Sequence, residues 1–238
     1  MENKISSAMI LAAGLGRRLR PLTDTTPKPL IKVAGKALID YSFELLRGAG
    51  ISKAVVNCHY LADQIEAHVE TVTDLEITVS DERGALLETG GGVQKALPLL
   101  GSGPFAVLNS DVIIRDGHDT SLKAAVDYWD PKTMDVLLLL QPKETAVGYD
   151  GSGDYQMSET GGLSRCAAGG EAPLIFSGIQ IINPDLFSGI EPGKFSMNVI
   201  FDKAQAQGRL FGLRHSGQWL HAGTEAALDI IEKKIREL

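Results

Sequence analysis

Short apolar runs alternate with amphipathic segments along most of the chain, and this alternation restricts the fold more than any other feature. Ala8-Met9-Ile10-Leu11-Ala12 reads as a buried strand, and Leu38 to Arg47 as a helix ending at Gly48 and Gly50. The pattern continues with a strand over Lys53 to Asn57, a helix over Ala62 to Val69, a strand over Ile77 to Ser80 and a helix over Val93 to Leu100. Phe105 to Asn109 predicts a strand that delivers Ser110-Asp111. A helical stretch, Thr120 to Tyr128, and the apolar run Val136 to Leu140 follow. This order predicts an α/β fold, doubly wound and Rossmann-like, with ligands beyond the carboxyl ends of the strands.

Between Pro142 and Pro173 the chain turns rich in Gly, Ser and Glu and loses helical period, which predicts short antiparallel strands and turns within a mixed sheet. Regular structure returns at Leu174 to Ile182, Met197 to Gln207 and Thr224 to Leu238, the last a closing helix. Neither repeat nor linker interrupts residues 1–238, which read as a single domain. Hydrophobic residues make up 44% of the chain, enough for a substantial core.

A formal net charge of -7 argues against nucleic-acid and anionic-membrane partners, because phosphate surfaces call for clustered Lys and Arg. A polyanionic substrate must therefore be held by local groups. Cys58 and Cys166 are far apart and lack metal-type spacing, which fits a reduced, cytoplasmic setting. Met1 to Ser7 lacks the basic and apolar regions of a signal peptide, and Ala8 to Ala13 is too short to span a bilayer.

The first strand runs into Ala13-Gly14-Leu15-Gly16-Arg17-Arg18-Leu19-Arg20-Pro21-Leu22-Thr23, then Thr26-Pro27-Lys28-Pro29-Leu30. Glycines let a backbone approach phosphate closely, and successive amides form an anion nest. A dinucleotide fingerprint would need glycine where Leu19 stands, and the Lys-Ser or Lys-Thr of a P-loop is missing. Gly-x-Gly alone also fits a simple tight turn; the adjacent cations favour phosphate.

The segment resembles the signature of the sugar-1-phosphate nucleotidyltransferases, a Gly-x-Gly-x-Arg loop followed by Pro-Leu-Thr and Pro-Lys-Pro, and the resemblance covers nearly the whole chain. Leu87-Glu88-Thr89-Gly90-Gly91-Gly92 and Trp219-Leu220-His221-Ala222-Gly223-Thr224 look closest to the N-acetylmuramate α-1-phosphate uridylyltransferases. The mannose-1-phosphate guanylyltransferases are near neighbours. The resemblance implies transfer of a nucleotidyl group, from UTP first and GTP second, to a sugar 1-phosphate with release of pyrophosphate. A nucleotide-sensing or scaffold protein that lost activity is the rival from another class.

By the same resemblance, Ala13, Gly14, Gly16, Arg17 and Arg18 would wrap the triphosphate, with Arg18 stabilising departing pyrophosphate as a permanently charged, bidentate donor. Lys28, fixed between two prolines, would neutralise phosphate as a point charge. Asp111, at its strand end, would be the principal ligand of Mg2+, which favours one or two carboxylates plus phosphates. Glu82 and the segment around Gly90 would border the base, although the three glycines also read as a flexible lead-in to a helix. Asn109, Gly153 and Asp154 would contact the sugar, which puts the antiparallel excursion on the sugar side. His59 reads as structural, because a sugar phosphate is already an anionic nucleophile and needs no side-chain base. His68, His118 and His215 carry no informative spacing, and Trp219 reads as packing.

One position departs from the family. Much of it carries an aspartate as second metal ligand in the tail motif, where this chain has His221. Three roles remain for His221: direct phosphate contact, ligation of a softer metal, or a neutral neighbour while Asp111 and the phosphates hold magnesium. The third is preferred.

Overall fold

The computed structural model describes residues 5–115, 121–167 and 169–236. His118, Thr120 and the last two residues of the expected closing helix lie outside them. In chain order the elements are β1 (Ser7–Leu11), the hairpin β2 (Lys32–Val33) and β3 (Lys36–Ala37), α1 (Leu38–Gly48), β4 (Lys53–Cys58), α2 (Ala62–Val69) and β5 (Glu76–Asp81). Next come α3 (Glu88–Leu100), β6 (Phe105–Asn109), β7 (Val112–Arg115), α4 (Ser121–Tyr128), β8 (Val136–Pro142), β9 (Tyr155–Met157) and β10 (Leu163–Arg165). The chain finishes with β11 (Leu174–Ile182), α5 (Asn198–Ala206), β12 (Leu210–Arg214), β13 (Gln218–His221) and α6 (Glu225–Arg236).

The large sheet runs β10-β9-β11-β6-β1-β4-β5, with β8 added to β11 and β12 to β8. β1 pairs in parallel with both β4 and β6, whereas β11 is antiparallel to β6 and β8. Side chains alternate across this sheet and so divide the core in two. Ala8, Ile10, Ala106, Leu108, Leu137 and Leu139 join the layer that holds Phe43 of α1, Ile65 of α2 and Leu122 of α4. Met9, Phe105, Val107, Val136, Leu138 and Leu140 join the layer under Val93 of α3 and Ile200 of α5. Covered on both faces, these strands read as unbroken apolar runs, each large side chain adding roughly 1.5–3 kcal/mol on burial.

Three features depart from the sequence reading. Helix α3 starts at Glu88 rather than Val93, so Gly90, Gly91 and Gly92 are helical and buried. Tertiary packing overrides their low helix propensity. A side chain at Gly90 would strike the Phe195 ring, and one at Gly91 the Gly193 carbonyl. Strands β7 and β13, which the sequence reading left unassigned, form an antiparallel ribbon pairing Val112 with His221. β12, also unassigned, runs parallel to β8.

Candidate active site

Chain order reverses beside β1: β4 and β5 extend the sheet on one side, and β6 returns on the other. Such a switch point opens a crevice at the carboxyl ends. Leu11, the last residue of β1, pairs with Asn57 and with Asn109. The Ser110 hydroxyl donates to the Leu11 carbonyl at 2.7 Å, and the Ala12 amide donates to Asn57 Oδ1 at 2.8 Å. These bonds start the glycine loop in a fixed direction.

A cavity of about 210 Å³ opens there, lined by Ala13, Gly14, Lys28, Glu88, Thr89, Asn109 and Asp111 among others. A neighbouring one of about 260 Å³ is lined by Gly14, Gly16, Arg17, Arg18, Lys28, Asp111 and Gly223. The two share Gly14, Lys28 and Asp111, so together they form one depression with Lys28 and Asp111 at its waist. Gly16 turns the loop at φ 60°, and its carbonyl accepts from the Thr23 hydroxyl at 3.0 Å. Arg17 and Arg18 follow on a short 3-10 turn anchored by buried Leu19; both are exposed and make no ion pair among the described residues.

Lys28 Nζ donates to Asp111 Oδ2 at 2.6 Å. Burial pushes the Asp111 carboxyl up, but the Lys28 ammonium, with smaller help from Arg18, outweighs it and holds the group below the usual carboxylate range. His221 arrives on the β7–β13 ribbon, where the Ala222 amide donates to the Asp111 carbonyl at 3.0 Å. Its ring stacks on Trp219, with centroids 5.5 Å apart and planes 5° apart. Burial lowers the His221 pKa against the pull of Asp111, favouring neutral imidazole. Gly223 leaves the ring its space, since a Cβ there would come within 2.6 Å of it. Among the described residues no three His, Cys, Asp or Glu side chains converge as a metal cage.

The structure separates the expected sugar residues. Asn109 lines the main depression, braced from behind by Gly178, whose φ of 90° and missing Cβ let β11 come within contact of the amide. Gly153 and Asp154 line another cavity, about 280 Å³, with Arg165, Phe176 and Asn198. The Phe176 amide donates to Asp154 Oδ2 at 2.8 Å, and burial raises the Asp154 pKa. Strand β11 links the two places, since Phe176 lines one and Gly178, two residues on, braces the other.

Residues 7–151 match the nucleotidyl transferase family. The N-acetylmuramate alpha-1-phosphate uridylyltransferase of Caulobacter vibrioides is 41% identical to this chain over 234 residues, 97% of each sequence. This chain belongs to the nucleotidyl transferase family. The enzyme of the same name from Neisseria meningitidis serogroup B is 37% identical over 224 residues, 93% of this chain and 94% of that one. A mannose-1-phosphate guanyltransferase beta-B of Xenopus laevis is 30% identical over 228 residues, 91% of this chain but 61% of that one. Among solved structures, the inositol-1-phosphate CTP transferase of T. maritima has a TM-score of 0.78 at 16% identity, covering 100% of this chain and 98% of that one; the likeness shows a shared fold.

On this nucleotidyltransferase scaffold Glu82 and Gly90 stand outside the cavity lining. Glu82 is 1% exposed and lies behind the wall formed by Leu86, Glu88 and Thr89. The Gly90 amide donates to the Phe195 carbonyl at 2.8 Å. His59 Nδ1 meets the Glu82 carbonyl, His68 pairs with Asp40 and His215 with Gln141. Trp219 packs as expected, its indole N–H donating to the Ser177 carbonyl. Asn57, which belongs to no motif, also lines the cavity. Its signal was a polar residue at the carboxyl end of a buried strand, where ligands collect.

Proposed function

We propose that this nucleotidyltransferase moves a uridylyl group from UTP to N-acetylmuramate α-1-phosphate, releasing pyrophosphate, as a cytoplasmic step of cell-wall peptidoglycan recycling. The observation that carries the reading is the Lys28–Asp111 pair at the waist of the depression, between a glycine-arginine loop and the wall of Leu86, Glu88 and Thr89. The end-to-end similarity to two uridylyltransferases favours the substrates.

A phosphate oxygen of the sugar 1-phosphate attacks the α-phosphorus in line, and the bond from that phosphorus to the bridging oxygen of pyrophosphate breaks. Loop amides after Gly14 hold the triphosphate, and the Arg18 guanidinium takes charge developing on the leaving group. Lys28 exchanges Asp111 for phosphate oxygens as the nucleotide enters. Asp111, the one carboxylate at the waist, fits a magnesium ion delivered with the nucleotide, because this ion keeps water and phosphate ligands beside one or two carboxylates. Such an ion would neutralise α-phosphate charge. Asn109 would orient the sugar toward Gly153 and Asp154, and His221 would stay a neutral neighbour. The alignment and neutralisation need no covalent enzyme intermediate.

Incubating the purified protein with magnesium, a panel of nucleoside triphosphates and several sugar 1-phosphates, and reading pyrophosphate release, tests the reading. UTP with N-acetylmuramate α-1-phosphate is expected to lead. Preference for GTP with mannose 1-phosphate would make it a guanylyltransferase, and nucleotide binding without pyrophosphate release a sensor or scaffold.

A further inference from the structure

We propose that Glu82 is a positioning residue that ties the phosphate loop to the base-side wall, so that both halves of the nucleotide site depend on one buried carboxyl group; this rests on the nucleotide reading above. Each carboxyl oxygen accepts from a different part of the site. Oε1 accepts from Asn57 Nδ2 at 2.7 Å, and Asn57 Oδ1 in turn receives the Ala12 amide at the start of the glycine loop. Oε2 accepts from the Leu87 amide at 3.2 Å, at the head of the wall segment. Gly92 closes over the arrangement: a Cβ there would lie 2.8 Å from Glu82 Oε1 and 2.9 Å from Asn57 Nδ2.

The wall needs such a tether. Glu88, which lines the cavity, holds φ at 64°, a left-handed conformation unfavourable for a residue with a side chain. A turn of this kind persists where its surroundings over-determine it. Two contacts do so: the Leu87 amide on Glu82, and the Leu87 carbonyl accepting from the Phe195 amide at 3.2 Å. Glu82 is therefore set between two walls that it does not itself line. A displacement at Leu87 is felt at Ala12 through three hydrogen bonds and the two buried side chains that share them.

Replacing Glu82 by glutamine keeps shape but leaves one acceptor, so an NH2 group faces either Asn57 Nδ2 or the Leu87 amide. Converting Asn57 to aspartate as well reverses one donor and acceptor and restores every bond. Magnesium tripolyphosphate, UTP and GTP, each titrated calorimetrically into the full-length protein, separate the possibilities. Glu82→Gln is expected to weaken tripolyphosphate and UTP by roughly tenfold, the size of one lost hydrogen bond to a charged group, and to narrow the UTP-over-GTP ratio. Asn57→Asp alone, with two carboxyl groups abutting, is expected to be worse, and Asn57→Asp/Glu82→Gln to bind better than Asn57→Asp. Loss of base discrimination with unchanged tripolyphosphate affinity would make Glu82 a base contact and overturn the tether. So would a lowered melting temperature with unchanged affinities, or additive losses without recovery in the double variant. Failure of the wild type to bind UTP or tripolyphosphate would instead remove the nucleotide reading.

Discussion

At Gly16 the loop has almost no freedom to accept a side chain: φ is 60°, and a Cβ would lie 2.7 Å from Thr23 Cγ2 and 3.1 Å from Lys28 Cβ. Gly16→Ala should displace the loop or Lys28 and raise the KM for triphosphate by about tenfold or more, with a smaller change in kcat. Asp111→Asn keeps shape but removes the charge opposite Lys28 and the carboxylate offered to a cation. It should lower turnover on the order of a hundredfold or more while thermal unfolding and circular dichroism stay near wild type. His221→Ala should be impaired less, because the neutral ring stacked on Trp219 is not needed for that charge; equal loss in both variants, with activity only in manganese, would make His221 a ligand. Single residues were legible where chemistry and sequence neighbours coincide. Lys28 sits between two prolines, and Asp111 ends an apolar run. Asn57 carried only the weak signal of its strand end, because its importance comes from Ala12, 45 positions away. Glu82 was read toward the base, since nothing local shows that it faces inward.

Among the elements, α3 shows how packing can overrule propensity. Three successive glycines argue against a helix by roughly 1 kcal/mol each, yet they let α3 approach the 193–195 segment and Glu82 more closely than any side chain would allow. Gly91→Ala should therefore destabilise despite its better helix propensity. Overlap with the Gly193 carbonyl should cost roughly 1–3 kcal/mol, a fall of several degrees in a melting experiment. The strands that carry the depression were legible because they are buried on both faces and mostly apolar. The β7–β13 ribbon was not, because its halves are only 4 residues long and pair across more than a hundred positions, where no local period records the partner. The excursion of β9 and β10 came through as antiparallel structure from its turn residues, whereas its separate cavity with Arg165 and Asn198 had no motif to announce it.

For the molecule as a whole, alternation revealed the layered fold but not the reversal of β11, whose apolar sequence suits either direction. One clasp joins the parts that reversal brings together. Asp135 accepts from Arg209 Nε at 2.7 Å and from Asn183 Nδ2 at 3.0 Å, linking the lead into β8, the end of β11 and the approach to β12. Burial pushes Asp135 up, but these bonds and the Arg209 charge hold its pKa below the ordinary carboxylate value. With the folded pKa depressed, its contribution is complete above an unfolded value of about 3.9 and is lost as pH falls through the folded value. Urea unfolding across that range should show Asp135→Asn less stable than wild type by roughly 1–3 kcal/mol at neutral pH, with the gap closing in acid. The ribbon that carries His221 to Asp111 also sets an order in time. A ribosome extending the chain at about 5–20 residues per second needs roughly ten seconds to pass from Asp111 to Ala222. During that interval the nascent chain holds its glycine loop and Asp111 without the strand that pairs beside them, so the depression is completed late in synthesis.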